Sequence, residues 1–287
     1  MAVSTKHPDY KITADILDAA KSECEANGLV VRALLLTNPG NPLGNILTES
    51  EMSDLFWWTN DNPGMHLICD EIYALGEFTD SSLPRKFKSM LDLVDEQRKK
   101  KAESAEKAEA AEAFFKARLH IVYGLSKDWC SSGSRVGVVY SENEALQGAM
   151  GNYCYFCGVP NVEQAAWAKV LNDDDFTTSF HADNRRRVAG VVANAREALQ
   201  RELGVQSYEP SSGLFIWCDF RKYLDEATFA SEEKLHARIF SEGKVLVTPG
   251  ADCRSSEPGF FRLCIGWIDT ATFDVALARM KKVLEGK

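Results

Sequence analysis

Three side chains of complementary chemistry each follow a short apolar run. Lys127 comes just after His120-Ile121-Val122-Tyr123, with the break at Gly124 and Ser126 between them. Asp70 directly follows Met65-His66-Leu67-Ile68-Cys69, and Asn41 lies in the turn Asn38-Pro39-Gly40-Asn41-Pro42-Leu43-Gly44 that ends Ala33–Thr37. An amine, a carboxylate and an amide form a usable set. A desolvated lysine can reach its neutral, nucleophilic form and attack a carbonyl or carry a proton. Taken singly each has a plainer reading. Lys127 would be a solvated surface lysine, Asn41 a turn residue, and Asp70-Glu71 a pair of surface acids. Tyr73 argues against the last, because a strand end that offers both a carboxylate and a phenol resembles the wall of a site.

The elements that must position these groups can be read from the same pattern. Runs of four to six apolar, β-branched or aromatic residues bounded by Gly, Pro and Asn read as buried strands. A helix separates the first two: Thr48 with Glu51 is a capping box, followed by Leu55, Phe56, Trp57 and Trp58. Strands alternating with helices form a parallel sheet, so their C-terminal ends share one edge. That edge is where open α/β sheets bind ligands. Asn41, Asp70 and Lys127 are therefore expected to converge. The trio suits pyridoxal 5′-phosphate, which needs a lysine for a Schiff base and an acid beside its pyridinium nitrogen. Ser126 and Arg135 are candidates to hold its phosphate.

The motifs NPGNPLG, DEIY, GLSKDWCSSGSRVG, GLFIW and GFFRLC, in that order, resemble the fold-type I, class I/II aminotransferase superfamily, and most of all its 1-aminocyclopropane-1-carboxylate (ACC) synthase-like members. The resemblance runs from the first strand to the C-terminus. It implies that Lys127 is the Schiff-base lysine and Asp70 the pyridinium partner, with Asn41 and Tyr73 as donors to the cofactor's phenolic oxygen. It further implies that Ser126 and Arg135 contact the phosphate and that Arg262 grips the substrate α-carboxylate. Gly124 departs from the family pattern, which usually has a serine there, and removes a hydroxyl donor. A homodimer is also implied.

The expected architecture is α/β: a mostly parallel sheet core sandwiched by helices, an incomplete aspartate-aminotransferase-like large domain, plus a small α+β C-terminal domain. We place a partial cofactor-binding domain at 1–160 and the small domain at 161–287. Thr13 caps a first helix from Ala14 that Gly28 stops. The stretch 95–116, DEQRKKKAESAEKAEAAEAFFK, has strong helix propensity and no clear apolar face, so it reads as a solvated, charged helical insertion. Helices are expected at Glu144–Met150, Val162–Leu171 and Phe176–Leu203, the last carrying Arg185-Arg186-Arg187, which cap an exposed helix face or pair with acids, the alternative being an approach to an acidic substrate. Strands are expected at Gly213–Cys218, Lys244–Thr248 and Phe260–Ile265, then an amphipathic helix from Thr270 to Leu284. Arg262 interrupts an apolar strand. A buried guanidinium needs an anion, so it makes either an internal ion pair or a carboxylate clamp.

Bulk properties narrow the partners. A formal charge of −9 argues against nucleic acid or an anionic membrane as the main partner. No apolar run reaches spanning length. Eight cysteines, several in apolar runs (Cys69, Cys218, Cys264), read as reduced core thiols of a cytoplasmic protein. The Cys154/Cys157 pair has no second pair at zinc spacing and reads as chance or core packing. The five histidines form no ligand cluster, so no metal is expected.

The superfamily normally has a substantial portion ahead of the first helix seen here. The sequence is therefore expected to be a fragment or a degenerate relative with an open edge at its first strand. The first functional expectation is a PLP-dependent enzyme acting on a small α-amino acid, with transamination as the default. ACC-forming elimination, or β-elimination as in fungal secondary-metabolite C–S lyases, would use the same residues. The second is a catalytically silent, aminotransferase-like binding module.

Overall fold

A computed structural model describes residues 1–3, 5–78, 86–99 and 104–286. The first half is built as the alternation demands: α1 (Ala14–Ala26), β1 (Ala33–Thr37), α2 (Glu49–Asn60), β2 (His66–Asp70), α3 (Met90–Lys99), α4 (Ala105–Arg118), β3 (Leu119–Gly124) and β4 (Gly137–Ser141). The sheet order is β1-β2-β3-β4. β1, β2 and β3 are parallel, and β4 returns antiparallel to β3. Local chemistry sets the helix starts. The Thr13 side chain accepts from the Ile16 N–H. The Thr48 side chain accepts from the Glu51 N–H while the Glu51 carboxylate takes the Thr48 N–H, which is the expected capping box.

The 95–116 stretch departs from the solvated insertion expected of it. It contributes to two helices, α3 and α4, that pack on one another and on the sheet, with residues 100–103 outside the described set. Ala108 is buried, and Ala111, Phe114 and Phe115 are buried with Leu93 and Val94 in the core that also holds Phe56, Leu67 and Ile121. The apolar face is made of alanines and ends in two phenylalanines. Small side chains give little periodic hydrophobicity, yet they let helices approach closely and bury.

The second half comprises α5 (Glu144–Cys157), α6 (Asn161–Leu171), α7 (Asp174–Leu203), β5 (Gln206–Ser207), β6 (Phe215–Asp219), α8 (Phe229–Ser241), β7 (Thr248–Pro249), β8 (Phe260–Cys264) and α9 (Thr270–Leu284). Its sheet, ordered β5-β6-β8-β7, is antiparallel throughout. Phe220, Phe261, Ile216 and Leu199 are at its core. The strand expected at Lys244–Thr248 shortens to Thr248–Pro249, because Lys244 turns the chain at φ 56°. Cys264 is exposed, as are Cys154 and Cys157 on α5, so these three are not core thiols.

The two halves meet through backbone. Gly44 C=O accepts from the Ser211 and Ser212 N–H groups at 2.8 and 2.9 Å, and Ser211 C=O accepts from Phe78 N–H at 2.8 Å. Gly44 has φ 68°, and a Cβ there would lie 2.3 Å from Ser212 O, so the approach requires glycine.

Candidate active site

The parallel register brings three strand ends to one edge. Thr37 pairs with Asp70, and Asp70 with Val122. The NPGNPLG turn leaves β1 here, the DEIY turn leaves β2, and the turn with Ser126 and Lys127 leaves β3. Across from them stands Arg262 on β8, with Phe215 of β6 beneath its guanidinium, 5.5 Å from guanidinium carbon to ring centre.

Some of the predicted groups meet, and Asp70 stands apart from them. Arg262 Nη1 donates to Asn41 Oδ1 at 2.9 Å, and Nη2 to Thr248 Oγ1 at 3.2 Å. Its Nε is buried with no partner. Among the described residues no carboxylate pairs with Arg262, which removes the internal ion pair and leaves a cation aimed at an acceptor not supplied by these residues. Tyr73 is buried, with its ring edge-on to Phe215 at 5.6 Å. Burial pushes its phenol up to about 12, and nearby Arg262 pulls it back. Tyr73 and Lys127 line one small cavity. Lys127 is half-buried, and its ammonium makes no ion pair or hydrogen bond among the described residues. Asp70 is half-buried and accepts the Ile72 N–H at 3.2 Å; burial raises its carboxyl.

Ser126 and Arg135 are on the rim. Ser126 is half-buried, and Arg135 is exposed at φ 54°, donating to Ser132 C=O at 2.8 Å. Gly124 fits its surroundings as glycine. A Cβ would meet Val136 O at 3.1 Å and Ile72 Cδ1 at 3.2 Å, so a serine would need a small shift here. A cleft of about 660 Å³ opens beside Asn41 along β1, with Tyr10, Thr37 and Trp217 among its walls.

Three charged residues of this region escaped the sequence reading. Glu71 is not a surface acid: it is buried, caps the start of α3 by accepting from Met90 N–H and Ser89 O–H at 2.9 Å each, and is pushed to about 7 by burial. Asp128 is buried beside Lys127, and burial lifts it to about 6. Arg185 turns inward, its Nε donating to Leu75 C=O at 2.8 Å, while Arg186 and Arg187 pair with Asp183 at the surface. The available signal was helical spacing: Arg185 sits four residues from buried His181 and three from buried Val188 on α7.

The description "aminotransferase class I and II" matches residues 1–280. The chain is 36% identical to 1-aminocyclopropane-1-carboxylate synthase 4 of Oryza sativa subsp. japonica over 281 residues, covering 96% of this chain and 55% of that one. It is 34% identical to the Nicotiana tabacum 1-aminocyclopropane-1-carboxylate synthase, covering 95% and 52%. The chain thus spans about half the length of these relatives. Among solved structures, the aromatic aminotransferase from Pyrococcus horikoshii OT3 superposes at TM-score 0.76 with 20% identity, covering 100% of this chain and 67% of that one. The PLP-bound C–S lyase from Staphylococcus hominis with L-cycloserine gives 0.74 and 16%, covering 98% and 60%.

Proposed function

The chain belongs to the class I and II aminotransferase family, and on that premise we propose that it holds pyridoxal 5′-phosphate at the strand-end site and acts on an α-amino acid. The carrying observation is the set of open valences there. Arg262 Nε is buried without a partner. Among the described residues Lys127 Nζ and Tyr73 Oη are unpaired, and Asp70 takes one backbone donor. That donor set fits a ligand with an aldehyde, a phenolic oxygen, a ring nitrogen and a carboxylate-bearing substrate beside it. The phosphate end is served by Ser126 and Arg135 on the rim.

When bound, the cofactor supplies an electron sink for the substrate's α-carbon. Lys127 would offer the amine that holds the cofactor and would be placed to move the substrate's α-proton. Asp70, at the end of β2, would hold the ring nitrogen and favour its protonated form. Asn41 and Tyr73 would donate to the phenolic oxygen, Asn41 through its amide N–H while its Oδ1 stays on Arg262. Arg262 orients the substrate by a two-pronged grip on the α-carboxylate. Transamination is the default outcome. An elimination reading, ACC-forming or C–S, is favoured by the names of the relatives and of the Staphylococcus structure. A role in secondary metabolism goes with that reading.

A homodimer is proposed on the exposed apolar surface of α5 and α6, and a cytoplasmic setting on eight free cysteines. Among the described residues no helix is long and apolar enough to cross a membrane. We divide the chain near residue 160, before α6 and α7 lead into the second sheet. The test is optical. Chain saturated with pyridoxal phosphate should be yellow and lose that colour on mixing with amino acids, with product analysis separating keto acid alone from elimination. Colourless protein at saturating cofactor contradicts the reading.

A further inference from the structure

Asp128 follows Lys127 in sequence and is 3% exposed. Its Oδ2 receives two hydrogen bonds, from Leu75 N–H at 2.8 Å and from Tyr123 O–H at 3.2 Å. Tyr123 belongs to the end of β3, and Leu75 to the turn that leaves β2 with Tyr73. The carboxylate thus spans the ends of two adjacent parallel strands. Leu75 is held from its other side, because its C=O accepts from Arg185 Nε of α7. The backbone closes tightly over the acid: a Cβ on Gly76 would come within 3.2 Å of Asp128 Oδ1 and 3.3 Å of Ser212 Oγ.

Inside its own turn the 125–131 segment is held by local backbone bonds, Cys130 N–H to Lys127 C=O and Ser131 N–H to Leu125 C=O. Among the described residues, the Asp128 carboxylate provides the side-chain hydrogen bond that joins this turn to the Tyr73–Gly76 turn. Lys127, Tyr73, Asp128 and Arg185 line one small cavity. Lys127 has a long, flexible side chain with no partner of its own, so where its amine lies depends on where its backbone is held. A carboxylate accepting backbone N–H is a strong, charge-assisted tie, and removing it would orphan the Leu75 N–H.

We propose that Asp128 is a positioning residue, locking the Lys127 turn to the Tyr73 turn and, through Leu75 and Arg185, to helix α7, so that the amine meets a carbonyl compound at the strand ends. The proposal rests on the reading of that site given above. The ionisable groups that face the acid are Lys127 and Cys130 from its own turn, Tyr123 from β3, Tyr73 from the β2 turn, and Arg185 from α7. Burial disfavours the charged carboxylate, yet the fold places two donors on it.

Two readouts on the full chain test this. In cofactor-free protein, hydrogen exchange at the Leu75 amide should speed up at least tenfold in Asp128→Ala, with β6 and β8 amides unchanged. Asp128→Asn should stay within threefold of wild type, because the amide oxygen can accept the same two donors. In protein mixed with pyridoxal phosphate and reduced with borohydride, peptide mapping should show the Lys127 share of label falling at least fivefold in Asp128→Ala and recovering in Asp128→Asn. A merely structural loss would lower labelling of all lysines alike and speed exchange in β6 and β8. If Asp128→Ala does not fold, Tyr123→Phe removes one donor only, and a two- to threefold fall in the Lys127 share is expected. Wild-type values in Asp128→Ala, or in Tyr123→Phe where Ala does not fold, overturn the proposal. So does an Asn variant as impaired as Ala. Wild-type protein with no label on Lys127 would defeat the cofactor reading, and the exchange arm would still decide whether Asp128 holds the two turns.

Discussion

The two sheets of this chain are finished to different degrees. In the C-terminal sheet Phe215, Ile216, Trp217 and Cys218 are consecutive and all buried: Ile216 and Cys218 pack with Phe261 in the core under α7, α8 and α9, and Trp217 stacks on Phe260 on the other face. In the N-terminal sheet the outer faces stay open. Leu35 on edge strand β1 is 64% exposed, and Val138, Val139 and Tyr140 of β4 are exposed too. Helices α5 and α6 bury no residue at all, and Tyr155 and Phe156 are 88% and 90% exposed. One sheet is stabilised by its own residues, whereas the other presents apolar surface of the kind that marks an interaction face. Asn41, Asp70, Tyr73 and Lys127 all come from the open half, and only Arg262 comes from the closed one. The proposed substrate grip would thus be mounted on the self-sufficient sheet, and the proposed reactive amine on the sheet whose outer surface is unfinished.

The largest expected effect is at the amine. Lys127→Ala should lower turnover by roughly a thousandfold or more, because it removes both the covalent attachment and the proton carrier. Stability should change little, since Lys127 makes no ion pair among the described residues. A variant within tenfold of wild type would break the assignment. Next comes a direct contrast of the halves by denaturant unfolding. Phe261→Ala, in the closed core, should cost about 3–5 kcal/mol. Leu35→Thr, on the open edge, should stay within about 0.5 kcal/mol. Comparable losses would show that the two sheets do not differ as described.

Arg262→Lys keeps the charge and loses the two-pronged geometry. It should raise the amino-acid KM roughly tenfold, a cost of about 1.4 kcal/mol, with pyridoxal phosphate affinity little changed. Equal losses in both would make Arg262 structural. Glu71 ties β2 to the start of α3, and its folded pKa of about 7 lies above its ordinary value of 4.5. A raised carboxyl contributes stability that is fully present below its unfolded pKa and lost as pH rises through the folded one. Wild type should therefore lose about 2 kcal/mol more than Glu71→Gln between pH 4.5 and 7. Parallel pH profiles would contradict this. The smallest effect is expected at the open helices. Tyr155→Ser with Phe156→Ser should leave stability within about 0.5 kcal/mol and reduce self-association in sedimentation, whereas a large loss of stability would mean that these side chains are buried.

Strand ends were legible because each strand is a short apolar run cut off by Gly, Pro or a polar cluster, which fixes where its C-terminal edge falls. The Thr48/Glu51 capping box and the Arg262 interruption were legible for the same local reason. The burial of α4 was not, because before Phe114 it is carried by Ala108 and Ala111, and alanine gives no hydrophobic period. Asp128 was hidden in a different way: its main partner is the Leu75 N–H, 53 residues away, and backbone donors leave no trace in side-chain pattern. Arg185 was masked by the two exposed arginines that follow it. What local pattern cannot reveal is which backbone groups a buried charge will meet, and that information lies in tertiary packing.

The central claim is that Lys127 is the amine at which the cofactor is held. The most direct measurement is borohydride reduction of the 287-residue chain in excess pyridoxal phosphate, followed by peptide mapping against the Lys127→Ala variant. The proposed phosphate ligands, half-buried Ser126 and exposed Arg135, lie on the rim, so high cofactor concentration is expected to be needed. The account predicts one dominant label, on Lys127, that disappears in the variant. A dominant label on another lysine, with Lys127 unmodified, would contradict it.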